Sequence, residues 1–94
     1  MSAPLVYIVL AEHWDVPGLI CMAYATRAAA QAQAVAIVGS MVEDHNADLD
    51  VDGGEPLPAP TLDSWESLVA ELQDFHGAEH LFVSVLAATV EGAP

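Results

Sequence analysis

The chain has no lysine and a single arginine, Arg27, against fourteen aspartates and glutamates among its 94 residues. Its formal net charge is -13 with the histidines neutral. Nucleic-acid-binding proteins gain much of their affinity by neutralising phosphates with lysines and arginines, so this composition excludes direct binding of DNA or RNA by that means. An anionic membrane surface would repel the chain for the same reason.

Cysteine is almost absent as well. Cys21 is the only one, so no intrachain disulfide can form, which favours a reducing cytoplasm over a secreted scaffold. The apolar runs are shorter than the roughly 20 residues of a membrane-spanning helix, and residues 1–4 carry no positive charge of the kind that begins a signal peptide. We therefore expect a cytoplasmic protein (the host cytoplasm if a phage encodes it) that does not contact membranes.

Apolar residues make up 54% of the chain. Disordered acidic tails are poor in such residues, so the composition favours a folded protein. The length fits one domain spanning residues 1–94. The only stretch that interrupts the pattern is an acidic segment rich in proline and glycine, at about residues 44–60, which predicts a loop.

Three apolar runs predict β-strands. Residues 5–10 form a continuous β-branched and aromatic run, which is typical of a strand buried on both faces. Residues 19–24 follow the turn pair Pro17-Gly18 and predict a second strand, and residues 81–90 predict a third.

Two segments predict helices. Thr26 is a suitable N-cap for an alanine-rich helix over about residues 27–43. Asp63 begins a sequence that resembles a capping box. The apolar stripe from Trp65 to Phe75 then predicts an amphipathic helix that ends at Gly77.

Together these elements predict an α+β fold, a three-stranded antiparallel sheet with two helices on one face, in the order β-β-α-α-β. The first strand is best placed at the centre. The helices cover one face only, whereas the strands are apolar on both. The second face could be covered by curling of the sheet and by the termini, or the exposed face or edge could bind a second copy or another protein.

Patterns for metal binding or catalysis are incomplete. Asp48, Asp50 and Asp52 match the opening of an EF-hand loop, but Ala59 stands where the bidentate glutamate belongs. His76 and His80 are four residues apart with Gly77 between them, and His13 or His45 could join them only by folding back.

Catalytic residues are not indicated either. Cys21 lies within an apolar run, which is typical of a packed side chain rather than a nucleophile. The serines lack the setting of a nucleophile elbow. We expect a non-enzymatic protein without metal or cofactor.

The negative charge is clustered. Eleven of the fourteen acidic residues lie between Glu43 and Glu79. Three explanations remain open: a basic protein partner, a salt-adapted host, or solubility alone. For a basic partner, the residues expected to make contact are Asp44, Asp48, Asp50, Asp52, Glu55, Asp63, Glu66, Glu71 and Asp74.

Residues 5–35 resemble small uncharacterised phage and bacterial proteins. Those share a strand of the form VYxVxxEH, a hairpin, and a second strand that leads into a helix start of the form [FY]-[AS]-[ST]-R-x-A-A. Here the strand corresponds to Leu5-Val-Tyr-Ile-Val-Leu-Ala-Glu-His, and the helix start corresponds to Ala23-Tyr-Ala-Thr-Arg-Ala-Ala-Ala-Gln-Ala. The resemblance implies a hairpin-to-helix junction at which Thr26 and Arg27 have a structural role.

In size and acidity alone, the chain also resembles phage anti-CRISPR and anti-restriction inhibitors, some of which mimic DNA. The resulting hypothesis is a small acidic inhibitor that binds a basic surface of a nucleic-acid-handling protein, such as a CRISPR or restriction complex. The alternative is a homodimeric structural or regulatory module that pairs through its sheet and is acidic for solubility.

Overall fold

The structure is a computed structural model that describes residues 5–14, 16–52 and 54–89, with the backbone alone at residues 17 and 50–52. The order of elements is β1 (Leu5–His13), β2 (Val16–Tyr24), α1 (Arg27–Asp52), α2 (Trp65–His76) and β3 (Phe82–Thr89). The predicted α+β fold and its order β-β-α-α-β are confirmed.

The sheet is antiparallel with the strand order β2-β1-β3. The most apolar strand is therefore central, as its sequence predicts. Val9 lies opposite Met22 on one side and Val85 on the other. Because side chains alternate across a strand, Val9 and Ala11 face the helices and are fully buried, whereas their neighbours face the opposite side.

The helices pack on that buried face. Ala30, Ala34 and Val38 of α1 are fully buried, and their small side chains allow the helix to lie close to the sheet. Leu72 of α2 is also fully buried. Thr26 caps α1 as predicted, since its Oγ1 accepts a hydrogen bond from the backbone N–H of Ala29 at 3.1 Å.

The predicted acidic loop over 44–60 begins too early. The helix α1 continues to Asp52, nine residues beyond its predicted end at 43. Val42, His45 and Leu49 recur at helical spacing and are buried, so tertiary packing extends the helix despite the density of aspartates. The segment that connects α1 to α2 is fixed to α1, because the side-chain amide of Asn46 forms two hydrogen bonds with the backbone of Leu57, at 2.8 and 3.0 Å.

Two smaller predictions were also wrong. Residues 17 and 18 lie within β2, where an edge strand tolerates a proline, and the positive φ of Gly18 (110°) accompanies a shift of register next to His13. Asp63 does not cap α2. The residue before α2 is Ser64, whose Oγ instead accepts hydrogen bonds from the backbone and side chain of Thr61.

Candidate functional site

The predicted contact residues lie on the helical layer and on the segment that joins its helices. The seven whose side chains the structure describes are all exposed: Asp44, Asp48, Glu55, Asp63, Glu66, Glu71 and Asp74. Asp50 and Asp52 belong to the last turns of α1, and their side chains lie outside the described part of the structure. Asp44 and Asp48 are one helical turn apart, which corresponds to about 6 Å along the axis.

The charge on this layer has few counterions. Among the residues that the structure describes, the carboxylate–imidazole contacts join Asp44 to His13, at 2.8 Å, and Glu12 to His80, at 3.2 Å, and each is an ion pair only when the histidine is protonated. The one arginine, Arg27, is remote from the C-terminal half of α1 and lies 5.1 Å from the centre of the Tyr7 ring. Among the described residues, no carboxylate of α2 forms an ion pair, although Arg27 lines one cavity together with Glu66 at the start of α2.

A cluster of aromatic rings and histidines, which we call the histidine cluster, consists of His13, Trp14, His45, Phe75 and His76. It lies where the β1–β2 turn meets the C-terminal halves of both helices. Trp14 stacks between His13, at a centroid distance of 4.0 Å, and His76, at 3.9 Å. These contacts hold the hairpin against the helical layer.

Inside the cluster, His45 and His76 are hydrogen-bonded through Nδ1 and Nε2 at 2.9 Å. His45 is only 5% exposed, and the edge of its ring meets Phe75. Because a hydrogen bond between two imidazole nitrogens needs one donor and one acceptor, only one of the two rings can carry an extra proton while this bond persists.

The pKa of His76 is lowered from its ordinary value of 6.5. The largest cause is burial, and a charge on His45 or on His13 acts in the same direction, while the carboxylate of Asp48 opposes them. The folded protein therefore favours the neutral imidazole. Below pH 6.5 the unfolded chain binds more protons at this residue than the folded chain, so folding stability falls as the pH falls.

We expect His76→Gln to flatten this pH dependence. The free energy of unfolding of the unmodified protein should decrease between about pH 7.5 and about pH 5.5, whereas the variant should lose less over the same window. At the upper pH the variant should be less stable by about 1 kcal/mol, because the stacking contact with Trp14 is lost. Urea unfolding followed by circular dichroism at each pH measures both effects.

His80→Gln is the matched control, because the His80 side chain is 72% exposed and bonds to Glu12 outside the cluster. It should retain the decrease in stability toward acid. Parallel pH profiles for the unmodified protein and His76→Gln would show that the His45–His76 contact does not govern the response.

The metal-binding patterns of the sequence do not form a ligand set among the described residues. Among the residues that the structure describes, no group of three or more histidine, cysteine, aspartate or glutamate side chains could hold a metal ion. Residues 48–52 are helical, so their backbone is not that of an EF-hand loop. His76 and His80 bond to different partners, His45 and Glu12.

Two cavities open beside the histidine cluster. One, of about 370 Å³, lies between β2 and α1, with His13 and Asp44 next to apolar side chains that include Ile20 and Met41. The other, of about 280 Å³, is lined by His45 and Phe75 and by the acidic residues Glu55 and Glu71. Both therefore combine an apolar wall with a carboxylate at the rim.

The sequence predicted the acidic residues but not the histidine cluster. Two side-chain hydrogen bonds at this cluster join His13 to Asp44 and His45 to His76. The two residues of each pair are 31 positions apart in the sequence. Periodicity could not pair them, although His45 falls at helical spacing between Val42 and Leu49. Phe75, predicted as part of the apolar stripe, is 59% exposed and its ring contacts that of His45.

No family model, no curated protein and no solved structure matches this chain. Within the described part of the chain, none of the helices is both long and apolar enough to cross a membrane. The resemblance of residues 5–35 to phage and bacterial proteins therefore stays a prediction.

Proposed function

We propose that this chain is a non-enzymatic binding protein whose acidic helical layer docks on a basic surface of a nucleic-acid-handling protein and blocks it. The observation that carries the proposal is the exposure of the carboxylates on α1, α2 and the connecting segment, with no lysine in the chain and its one arginine against Tyr7. Fields of one sign steer an oppositely charged partner and speed association.

The arrangement also supports docking because the charged layer is held in place. The Asn46–Leu57 hydrogen bonds fix the connecting segment to α1. The stacking of Trp14 on His76 fixes the hairpin to α2. A surface that is ordered before binding loses less conformational entropy when a partner docks, so more of the charge attraction contributes to affinity.

The cavity between β2 and α1 fits the side chains that such a partner presents. Lysine and arginine have an apolar stem and a charged head. Val16 and Ile20, which are exposed, would contact the stem, and the carboxylate of Asp44 would meet the head. We infer that this cavity receives an anchoring lysine or arginine of the partner.

The class of target follows from charge. Nucleic-acid-handling proteins expose clustered lysines and arginines to bind phosphates. A protein of net charge -13 would compete for that surface without binding the nucleic acid itself. CRISPR and restriction complexes of the cytoplasm are examples of such targets, and inhibition of one of them is the most specific form of the proposal.

An affinity capture from nuclease-treated lysate tests the proposal. The bait is the unmodified protein, and the control bait carries Asp48→Lys and Glu71→Lys. We expect a DNA- or RNA-binding protein that the control bait does not retain, and that elutes below about 0.5 M NaCl because exposed charge contacts are screened.

The captured protein, once purified, should release its nucleic acid when the unmodified chain is added. Failure of the chain to compete with the nucleic acid, or equal capture by both baits, would refute the proposed function.

A further inference from the structure

The side of the sheet that faces away from the helices, which we call the outer face, is not covered by any element that the structure describes. It consists of the even-numbered residues of β1 and β3 from 6 to 12 and from 82 to 88, together with residues 19, 21 and 23 of β2. The register places Leu86 opposite Ile8 and Leu19 opposite Glu12. These residues alternate with the fully buried Val9 and Ala11, so they lie on the other side of the sheet.

The outer face is apolar and nearly free of charge. Leu19 is 60% exposed and Leu86 is 48% exposed, one on each side of the central strand. The only charged residue on the face is Glu12, whose carboxylate is bonded to Nδ1 of His80 at 3.2 Å. Cys21, predicted to be packed, is exposed on this same face.

The face has the size of an interaction surface. Three strands about 4.8 Å apart, with about eight residues each at about 3.3 Å per residue, form a face of roughly 400 Å² in projection. Contiguous apolar patches of roughly 300–600 Å² on a monomer are often functional. Two such faces in contact give about 800 Å² in projection, and side-chain relief raises this toward the roughly 1,200 Å² of small stable interfaces.

The distribution of charge allows a second copy of this chain as the occupant in one orientation. Two copies of net charge -13 repel each other strongly wherever their helical layers meet. If they meet through their outer faces, the sheets lie about 10 Å apart and the helices lie on the outside. The two acidic layers are then separated by about 30 Å, which is several times the Debye length of about 8 Å at physiological salt.

We propose that two copies of this chain pack outer face to outer face and form a helix-sheet-sheet-helix sandwich. The same face serves both copies, as in an isologous two-fold dimer. The acidic helical layers and the cavity beside Asp44 remain free on both outer sides. The dimer therefore does not depend on the proposed function, but it would present the acidic surface twice and raise the avidity for a target with repeated sites.

Sedimentation equilibrium over a range of protein concentrations tests this proposal. We expect a mass of twice the chain's 9.9 kDa. The dimer should persist when the salt is raised from about 0.15 M to about 1 M NaCl, because salt screens the repulsion between the copies and leaves apolar burial in place. A monomer at every concentration would overturn the proposal.

Substitutions then locate the interface. Leu19→Glu and Leu86→Glu should each weaken self-association by about 100-fold or more, because an unpaired carboxylate would be buried between the sheets. Leu62→Glu is the matched control, with the same change of charge at a residue that is 64% exposed and lies outside the sheet. It should leave the dimer intact. If Leu19→Glu acts and Leu86→Glu does not, the copies pair along the β2 edge and the proposed interface is wrong.

Cys21 supplies a second measurement, which can be made on the unmodified protein and so does not depend on whether a variant folds. Its thiol lies on the outer face of the sheet and is exposed in the single chain. Labelling by a thiol reagent should slow as the concentration of the unmodified protein rises, since the partner copy covers it. In Leu86→Glu the rate should not depend on concentration. A rate that is independent of concentration in a protein that sediments as a dimer would place the interface elsewhere.

Discussion

Reversing two charges beside the histidine cluster, with Asp48→Lys and Glu71→Lys together, is expected to weaken binding of the captured basic partner by about 100-fold. An exposed ion pair contributes up to about 1 kcal/mol, and a reversal replaces that attraction by a repulsion of similar size. Two reversals therefore remove about 3 kcal/mol, which corresponds to roughly two powers of ten in Kd. Titration calorimetry with the purified partner measures this loss.

Asp48 and Glu71 are chosen because the structure places them at the same end of the molecule. The charge of Asp48 acts on His76, and Glu71 lines a cavity together with His45 and Phe75. The control variant carries Glu43→Lys and Glu79→Lys, two exposed positions outside the predicted contact set, and changes the net charge by the same amount. It should alter affinity only a few-fold through long-range attraction. An equal loss in both variants would mean that net charge, and not this surface, determines binding.

The second large effect is expected in the core. Leu72 is fully buried at the centre of α2, so Leu72→Ala should reduce the free energy of unfolding by about 2–5 kcal/mol through lost burial and the cavity left behind. A domain of this size has a total stability of about 5–10 kcal/mol. With a urea m-value of about 1.5 kcal/mol/M, the unfolding midpoint should fall by about 1–3 M.

The matched control for this substitution is Leu62→Ala, at a leucine that is 64% exposed. Its free energy of unfolding should change by less than about 0.5 kcal/mol. Both proteins must be compared at one protein concentration, because unfolding of a dimer depends on concentration. A loss for Leu72→Ala as small as that of the control would contradict the packing of α2 against the sheet.

Two surfaces of this small protein differ in charge. Exposed carboxylates lie on the helical layer, as at Asp48 and Glu71, whereas the outer face, with the exposed Leu19 and Leu86, has one charged residue. Exposed apolar side chains also occur outside this face, as at Phe75 of α2. A charged layer is suited to fast, salt-sensitive docking, whereas an apolar face is suited to lasting, salt-resistant association. The two proposals therefore make opposite predictions about salt and can fail independently.

Local patterns were sufficient for most of the fold. The continuous apolar run at residues 5–10 predicted that β1 is the central strand, and the strand order β2-β1-β3 confirms it. Thr26 predicted the start of α1, and Gly77, with φ of 89°, predicted the end of α2. These signals act within one or two turns of the backbone, so a single sequence contains them in full.

The sequence by itself therefore determined the type and order of the elements, and also the sign and clustering of the charge. Only the tertiary structure decided that α1 runs through His45 and Leu49 to Asp52 and that Cys21 is exposed. It alone also showed that Trp14 stacks on His76. The physical reason is that periodicity shows which residues share a face, whereas the stability of a helix end or of a ring stack depends on partners far away in the sequence.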